Sequence, residues 1–338
     1  MPQNITFRTT LLGSLAEFSQ GTTLPVFAQP MNLVELVVLL AHYQEEGQKL
    51  SPKVYATDSI ETLCSMLPDS ERIAIGSCGA GSAGIRESIK KCAPLANGGW
   101  MIYLYSHDDL IEYGVFRGPS NPISVSVDDV VLSENDLLAV AKVFQISADC
   151  VELVSSKGGK HYVYLDHRAE EGPPPLQYLD ELVAHICRSV KPEYAEPSRG
   201  LLKQLLFDAL RDSHGSIIAV TSMRTAPKVV SGDGVILSEP IDFGSLVEQL
   251  SKGKVGRSLV ESKGHLLKGM LNCDGILLFD DHGRLLGYNC FVKVNQKKAV
   301  LGGARRRAFA ALVDHLNRGL CAVFMQSQDG SSDFKDAK

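Results

Sequence analysis

No run of the chain approaches the roughly 18 apolar residues that a membrane-spanning helix needs; Leu33 to Leu40 comes nearest, but it is short and carries Glu35. Nor is there a pronounced excess of one charge. Across 338 residues, 34 basic against 39 acidic side chains leave a net −5, which argues against a surface that grips nucleic acid everywhere and leaves room only for a local basic site. None of the eight cysteines forms a Cys-x-x-Cys pair, and the nine histidines show no paired ligand spacing, so a zinc site has no support. Reduced core thiols are expected instead, in apolar runs such as Cys290-Phe291-Val292. Met1 to Thr10 lacks the basic-then-apolar plan of a signal peptide. Together these absences predict a soluble, cytoplasmic protein with neither membrane nor nucleic acid among its partners.

What is present is an ordinary globular balance, 44% hydrophobic and 22% charged, which excludes a largely disordered chain. At about 100–200 residues per domain the length suggests two. The break is Arg168-Ala169-Glu170-Glu171-Gly172-Pro173-Pro174-Pro175, because three prolines after a charged run continue neither a helix nor a central strand. This divides the chain into an N-terminal α/β or α+β domain (1–167), a linker with a short helix (168–197), a second domain (198–330) and a polar tail (331–338) expected to fray.

In the first domain Met31 to Glu46 reads as a helix; Arg72 to Gly76, Trp100 to Ser106 and Lys160 to Asp166 read as strands. In the second, Ser198 is expected to cap a helix faced by Leu201, Leu202, Leu205, Leu206 and Leu210. Strands follow at Ser216 to Thr221 and Gly275 to Phe279, the latter turning through Asp280-Asp281-His282-Gly283 into a return strand, Arg284 to Val294. A helix from Arg305 to Arg318 with Gly319 beyond it, then a strand from Leu320 to Met325, complete an α/β domain with a mixed sheet flanked by helices.

Four blocks carry possible chemistry. Gly79-Ala80-Gly81-Ser82-Ala83-Gly84 spells G-x-G-x-x-G before a helix. It reads either as a dinucleotide loop or as a flexible strand-to-helix connection of small residues, with Gly76-Ser77-Cys78 set between strand and motif. Gly302-Gly303-Ala304-Arg305-Arg306-Arg307 opens a helix with three cations opposing its dipole, an arrangement that suits a docked anion, most naturally a phosphate, or else a solvated basic turn. Asp274-Gly275 at the mouth of a strand suits a ribose hydroxyl or a metal-bound phosphate, or is a plain turn. Ser327-Gln328-Asp329-Gly330 follows the last strand and offers a hydroxyl and a carboxylate, or is simply a polar terminus.

Taken in order, these C-terminal blocks resemble the bacterial diadenylate cyclase (DAC) domain over Leu201 to Gly330. The matching segments are Gly215-Ser216-Ile217-Ile218-Ala219-Val220, Gly234-Val235-Ile236-Leu237, Asp274-Gly275-Ile276, Gly303-Ala304-Arg305-Arg306-Arg307-Ala308-Phe309 and Ser327-Gln328-Asp329-Gly330. The resemblance implies one ATP per domain. Arg305, Arg306, Arg307 and Ser327 would lie on its phosphates, with Gly303 and Ala304 beside them. Asp274, Gly275 and Ile276 would lie near ribose, base and metal. Two copies would face each other so that each 3′-hydroxyl attacks the other nucleotide's α-phosphate, giving cyclic di-AMP and pyrophosphate.

The departures from the family pattern bear on catalysis. The family threonine is Ala304, its histidine is Arg306, its first glutamate is Gln328 with Asp329 keeping the second carboxylate, and its alanine after Asp-Gly is Ile276. Fewer carboxylates and more arginine favour phosphate binding over metal-assisted turnover. With a long α/β region ahead of it, the domain is similar to the DACNV subgroup of probable sensors. The expectation is a nucleotide-binding sensor of an adenine nucleotide or cyclic dinucleotide, with a homo-oligomer implied by the resemblance alone. The alternatives are an active diadenylate cyclase using Asp274, Asp329 and Mg²⁺ or Mn²⁺, and a non-enzymatic protein-interaction module.

Overall fold

The computed structural model describes residues 7–119, 121–134, 137–147, 150–165, 176–293, 303–327 and 330–337. The chain forms two compact units, Met1–Ser120 with Ser124–Glu171, and Gly172–Lys338 with Asn121–Ile123. Each is an α/β arrangement around one mixed sheet. Among the described residues no helix is long and apolar enough to cross a membrane. None of the eight cysteines is in a disulfide, and five of them are buried.

The first unit contains α1 (Phe7–Thr22), α2 (Pro30–His42), the short β1 (Gln44–Glu45) and β2 (Gln48–Lys49), β3 (Val54–Thr57), α3 (Ile60–Met66), β4 (Glu71–Gly79), α4 (Ser82–Cys92), β5 (Met101–His107), β6 (Leu110–Arg117), α5 (Val127–Val131), β7 (Val140–Ser147), β8 (Cys150–Ser155) and β9 (Lys160–Tyr164). Seven strands line up as β4-β6-β5-β3-β7-β8-β9, with β3 and β5 parallel and every other neighbouring pair antiparallel. The period of two sorts the side chains by face. Val54, Ala56, Ile102 and Leu104 pack with Leu36 of α2 and Ile85 of α4, while Tyr55 and Tyr103 pack with Ile60 and Leu63 of α3. Ser59 caps α3 by accepting from the Thr62 N–H at 3.2 Å.

The helix expected over Met31 to Glu46 stops at His42, where the chain turns into the β1–β2 hairpin. The strand expected to end at Gly76 runs on to Gly79, so the glycine block follows it directly. That strand is at the sheet edge and antiparallel to its one neighbour. A dinucleotide site is built on a βαβ unit of adjacent parallel strands, and β4 pairs with no parallel strand. Of the three glycines only Gly84 is needed for packing: a Cβ on it would stand 2.2 Å from the Gly79 carbonyl oxygen and 2.9 Å from Cys78 Sγ.

The second unit contains α6 (Leu179–Ile186), α7 (Pro192–Arg211), β10 (Ser216–Thr221), α8 (Lys228–Ser231), β11 (Val235–Asp242), α9 (Phe243–Ser251), α10 (Arg257–Leu271), β12 (Ile276–Asp280), β13 (Arg284–Cys290), α11 (Ala304–Val313), β14 (Ala322–Gln326) and β15 (Ser332–Asp336). The sheet order is β11-β13-β12-β10-β14-β15; β10 and β12 are parallel and the rest antiparallel. One face, through Ile218, Val220, Leu277 and Phe324, packs on α6, α7, α9 and α10. The other, through Ile217, Ile276, Val323 and Met325, packs on Phe309 and Leu312 of α11. Fully buried leucines such as Leu202 and Leu206 contribute about 1.5–3 kcal/mol each.

Three expectations are corrected here. Ser198 does not cap a helix: α7 begins at Pro192, passes through Pro197, and buries Ser198 completely. Pro197 removes only the bond to a carbonyl in the first turn, and the leucine face beyond it holds the helix together. The helix expected to reach Arg318 stops at Val313, after which Asn317 (φ 63°) and Gly319 (φ 112°) turn the chain back into β14. The tail does not fray. Ser332–Asp336 pairs along the whole of β14, and Phe334 stacks on Tyr178 at 6.2 Å between ring centroids. The return strand ends at Cys290, with residues 294–302 outside the described part.

Candidate functional site

Strand register decides which residues meet. Because β10 and β12 are parallel and β14 runs against β10, one end of the sheet gathers the start of β10, the start of β12, the end of β13 and the end of β14. Gly215, Asp274-Gly275, Asn289-Cys290 and Gln326-Ser327 therefore share that end, although more than a hundred residues separate the first from the last. Helix α11 packs on the neighbouring face with its N-terminus at the same end: Arg305 Nη1 lies 3.0 Å from where a Cβ of Gly215 would stand, and the Gln326 carbonyl oxygen lies 2.8 Å from that point. Gly215 has φ 97°, so its place admits glycine for both conformational and steric reasons.

The start of α11 is electropositive. Gly303 precedes it in an extended conformation without a side-chain cap, and no acidic residue stands in the first turn. The first hydrogen bond within it runs from the Arg307 N–H to the Gly303 carbonyl at 3.2 Å, which leaves the preceding N–H groups without intrahelical acceptors. Gly303 and Ala304 are exposed, Arg305 is half-buried, and Arg306 and Arg307 are exposed. Among the described residues neither Arg305 nor Arg306 has an ion-pair partner. Three cations against the helix dipole cost about 0.3–1 kcal/mol each when exposed, and a bound anion reverses that sign.

Ser327 ends β14 in a turn closed on itself. Its N–H donates to the Ser331 carbonyl at 2.8 Å, its hydroxyl lies 2.6 Å from the Ser331 hydroxyl, and Gly330 donates back to the Ser327 carbonyl at 3.1 Å. Asp274 is exposed, and its Oδ1 accepts from the Gly275 N–H at 3.0 Å. Gly275 (φ 100°) lets the backbone pass close to β13, since a Cβ there would stand 2.8 Å from the Cys290 carbonyl oxygen. Ile276 is only 2% exposed and belongs to the core beneath α11, so it offers a ligand backbone alone. Asp329 lies outside the described residues.

Among the described residues no group of three or more histidine, cysteine or carboxylate side chains is placed to hold a metal ion. One carboxylate joined by nucleotide phosphates is an ordinary Mg²⁺ donor set; Asp274 thus fits an ion that arrives with a nucleotide and does not form a resident site.

Residues that sequence reasoning passed over also stand at this end. Asn289 adopts φ 49° beside Gly234 and Gly275. Gln326 is 3% exposed, yet its Oε1 has no hydrogen-bond partner, a deficit of about 1–3 kcal/mol for a buried acceptor. A polar residue closing an otherwise apolar strand was the available signal. Comparison of the sequence with models of known protein families and with curated proteins gave no match.

Proposed function

We propose that the second unit is a DAC-like nucleotide-binding domain, a sensor of an adenine nucleotide or cyclic dinucleotide that binds phosphate at the sheet end where Arg305 meets Gly215. The observation that carries this reading is the convergence: blocks scattered from Gly215 to Ser327 occupy one end of one sheet, Arg305 stands against it, and the first N–H groups of α11 have no intrahelical acceptor. Backbone N–H groups and guanidinium forks at one place are the usual furniture of phosphate recognition. Arg305, held half-buried beside β10 and β14, would fix the phosphate's position, and the exposed Arg306 and Arg307 would add charge. A ligand present at a hundred times its Kd would stabilise the folded unit by about 2.7 kcal/mol, which is how occupancy would bias a conformational or oligomeric equilibrium.

Calorimetry with ATP and with cyclic di-AMP tests this directly. Arg305→Ala combined with Arg307→Ala is expected to reduce affinity at least tenfold, and unchanged affinity would refute the proposal. The exposure of Asp274 at the mouth of β12 supports a second reading, an active diadenylate cyclase. Incubation with ATP and Mn²⁺ or Mg²⁺, followed by chromatography and mass analysis, separates the two. Cyclic di-AMP formed by the wild type but not by Asp274→Asn establishes the cyclase; ATP recovered intact from folded protein leaves binding as the function.

A further inference from the structure

Strand β15 (Ser332–Asp336) is the edge of the second sheet and pairs with β14 alone among the described strands. Ser332, Phe334 and Asp336 stand opposite Gln326, Phe324 and Ala322. They therefore lie on the face where Phe324 packs with α6 and α7, opposite α11. Two of them are anchored there. The Phe334 ring lies 6.2 Å from Tyr178 and 5.6 Å from His185, and Asp336 Oδ2 lies 3.3 Å from His185 Nε2. The polar groups on this face are poorly served: Gln326 Oε1, Ser332 Oγ and His185 Nδ1 are buried without a hydrogen-bond partner. Such an atom costs free energy while it is shut in and none once water reaches it. An edge strand lying over orphaned polar atoms belongs to the part of a fold that opens before the rest.

The turn that leads into β15 begins at the candidate site. Arg305 Nη1 and the Ser327 carbonyl carbon each lie 3.0 Å from the point where a Cβ of Gly215 would stand. Across the turn the Ser327 hydroxyl lies 2.6 Å from the Ser331 hydroxyl and 3.2 Å from the Ser331 carbonyl oxygen, and Ser331 immediately precedes β15. We infer that β15 is the element through which occupancy of the site is read: an anion at Arg305 holds the strand on β14 more firmly than the empty site does. The inference rests on the phosphate-binding reading above and names its regulation. A serine hydroxyl has one proton to give and two lone pairs to receive. In the empty site the Ser327 proton goes to Ser331. An anionic oxygen beside Arg305 is the stronger acceptor and draws that proton away. The Ser331 hydroxyl then donates to Ser327, and Ser331, Ser327 and the anion form one polarised chain. That chain ties the residue before β15 to the ligand, so lifting the strand breaks it. The ligand therefore binds the docked state better, and by reciprocity the docked strand raises ligand affinity. Undocking bares the main-chain groups of β14, so occupancy at the sheet end governs access to a strand edge.

Hydrogen exchange of the full chain with and without inorganic tripolyphosphate tests this, with calorimetry beside it. Saturating tripolyphosphate is expected to slow amide exchange over Ser332–Asp336 about fivefold or more, the lower end of ordinary coupling between sites, and to slow it less over β11 at the opposite edge. Equal slowing at both edges is general stabilisation by a ligand and overturns the inference. Unchanged or faster exchange in β15 with tripolyphosphate bound also overturns it. Ser331→Ala should abolish the extra protection of β15 while calorimetry still shows binding; protection kept in this variant overturns the hydroxyl chain and the inference with it. Phe334→Ala, on the face opposite the arginines, should speed exchange in β15 and weaken tripolyphosphate binding about fivefold. Faster exchange with unchanged affinity overturns the coupling and leaves the phosphate site standing. Where Phe334→Ala fails to fold, Ser331→Ala decides. Failure of the wild type to bind tripolyphosphate overturns the phosphate reading, and this one with it.

Discussion

Two charge clusters, one in each unit, are arranged in opposite ways. In the first, Lys142 is buried on β7 with its ammonium 2.7 Å from Asp128 Oδ2 and 3.1 Å from Glu152 Oε2; Lys160 holds the other Glu152 oxygen at 2.9 Å, and the Tyr55 hydroxyl donates to Asp128. Every charge there has a partner. Burial pushes the Asp128 and Glu152 carboxyls up, but the Lys142 ammonium and its hydrogen bonds outweigh burial and hold both below the ordinary carboxylate range. In the second unit, Arg305 and Arg306 stand at a sheet end without ion-pair partners among the described residues, near an amide oxygen with no donor. A closed network serves the fold, whereas an open one has valence left for a ligand. On the proposed reading, this difference separates structural from functional polarity with no appeal to residue type.

The sharpest way to break this contrast is to open the closed network. Lys142→Met strips the shared ammonium from the nearly buried Glu152 and the half-buried Asp128 and should destabilise the first unit by about 3–5 kcal/mol. Adding Asp128→Asn and Glu152→Gln should recover much of that loss, because the uncompensated charge then disappears. Arg305→Ala, by contrast, should change the stability of the second unit by less than about 0.5 kcal/mol. Urea unfolding followed by tryptophan fluorescence isolates the first of these effects, since the chain's one tryptophan, Trp100, lies in the first unit with the Arg117 guanidinium 5.2 Å from its ring. Comparable losses from both substitutions would erase the distinction.

Acid should open the same network. A carboxylate whose folded pKa lies below its unfolded value stabilises the fold above the unfolded pKa, and that stability is lost as pH falls through the folded one. Asp128 and Glu152 are both of this kind. The first unit should therefore weaken as pH falls below about 4, the ordinary carboxylate value, and the Trp100 signal should report it. Lys142→Met with Asp128→Asn and Glu152→Gln should flatten that dependence.

Glycine offers a smaller contrast. Gly215→Ala forces a side chain into left-handed backbone and against the Gln326 carbonyl, a strain of about 1–3 kcal/mol, and should lower nucleotide affinity because Arg305 must move. Gly81→Ala in the G-x-G-x-x-G block meets open space with an extended backbone and should be neutral. If it is Gly81→Ala that impairs nucleotide binding, the two blocks have been assigned the wrong roles.

What could be read in advance followed from how local each signal is. Short continuous apolar runs such as Ser216–Thr221 and Ile276–Asp280 were legible because the signal lies in consecutive residues. Ser332–Asp336 was not: an edge strand is polar by necessity, and Phe334 alone betrays it. The G-x-G-x-x-G spelling left two readings open because a spacing does not say how its strand is paired, and β4 is paired antiparallel. In the candidate site the arginines and Asp274-Gly275 were visible as types and spacings. Gln326 was hidden, since its burial and its missing partner come from the pairing of β10, β14 and β15. Ile276 was overread for the same reason, its direction being set by the sheet.

Thiol chemistry gives the finest test, and it covers the second unit, which Trp100 does not report. Burial pushes the Cys187 thiol up to about 12 and the Cys290 and Cys321 thiols up to about 11. At pH 8 these are thiolate to about one part in a thousand or less, and they are shielded besides. Cys273 is the exposed cysteine, and it immediately precedes Asp274 at the proposed nucleotide edge. Maleimide should label Cys273 first in the folded protein. Saturating ATP should slow that labelling a few-fold by covering the mouth of β12, and inorganic tripolyphosphate should slow it less, because it does not extend past the arginines. Equal protection by both would confine the ligand to the α11 side of the strand end. No protection by either, with binding established by calorimetry, would move the nucleotide away from Asp274 and leave Arg305 as the centre of the site.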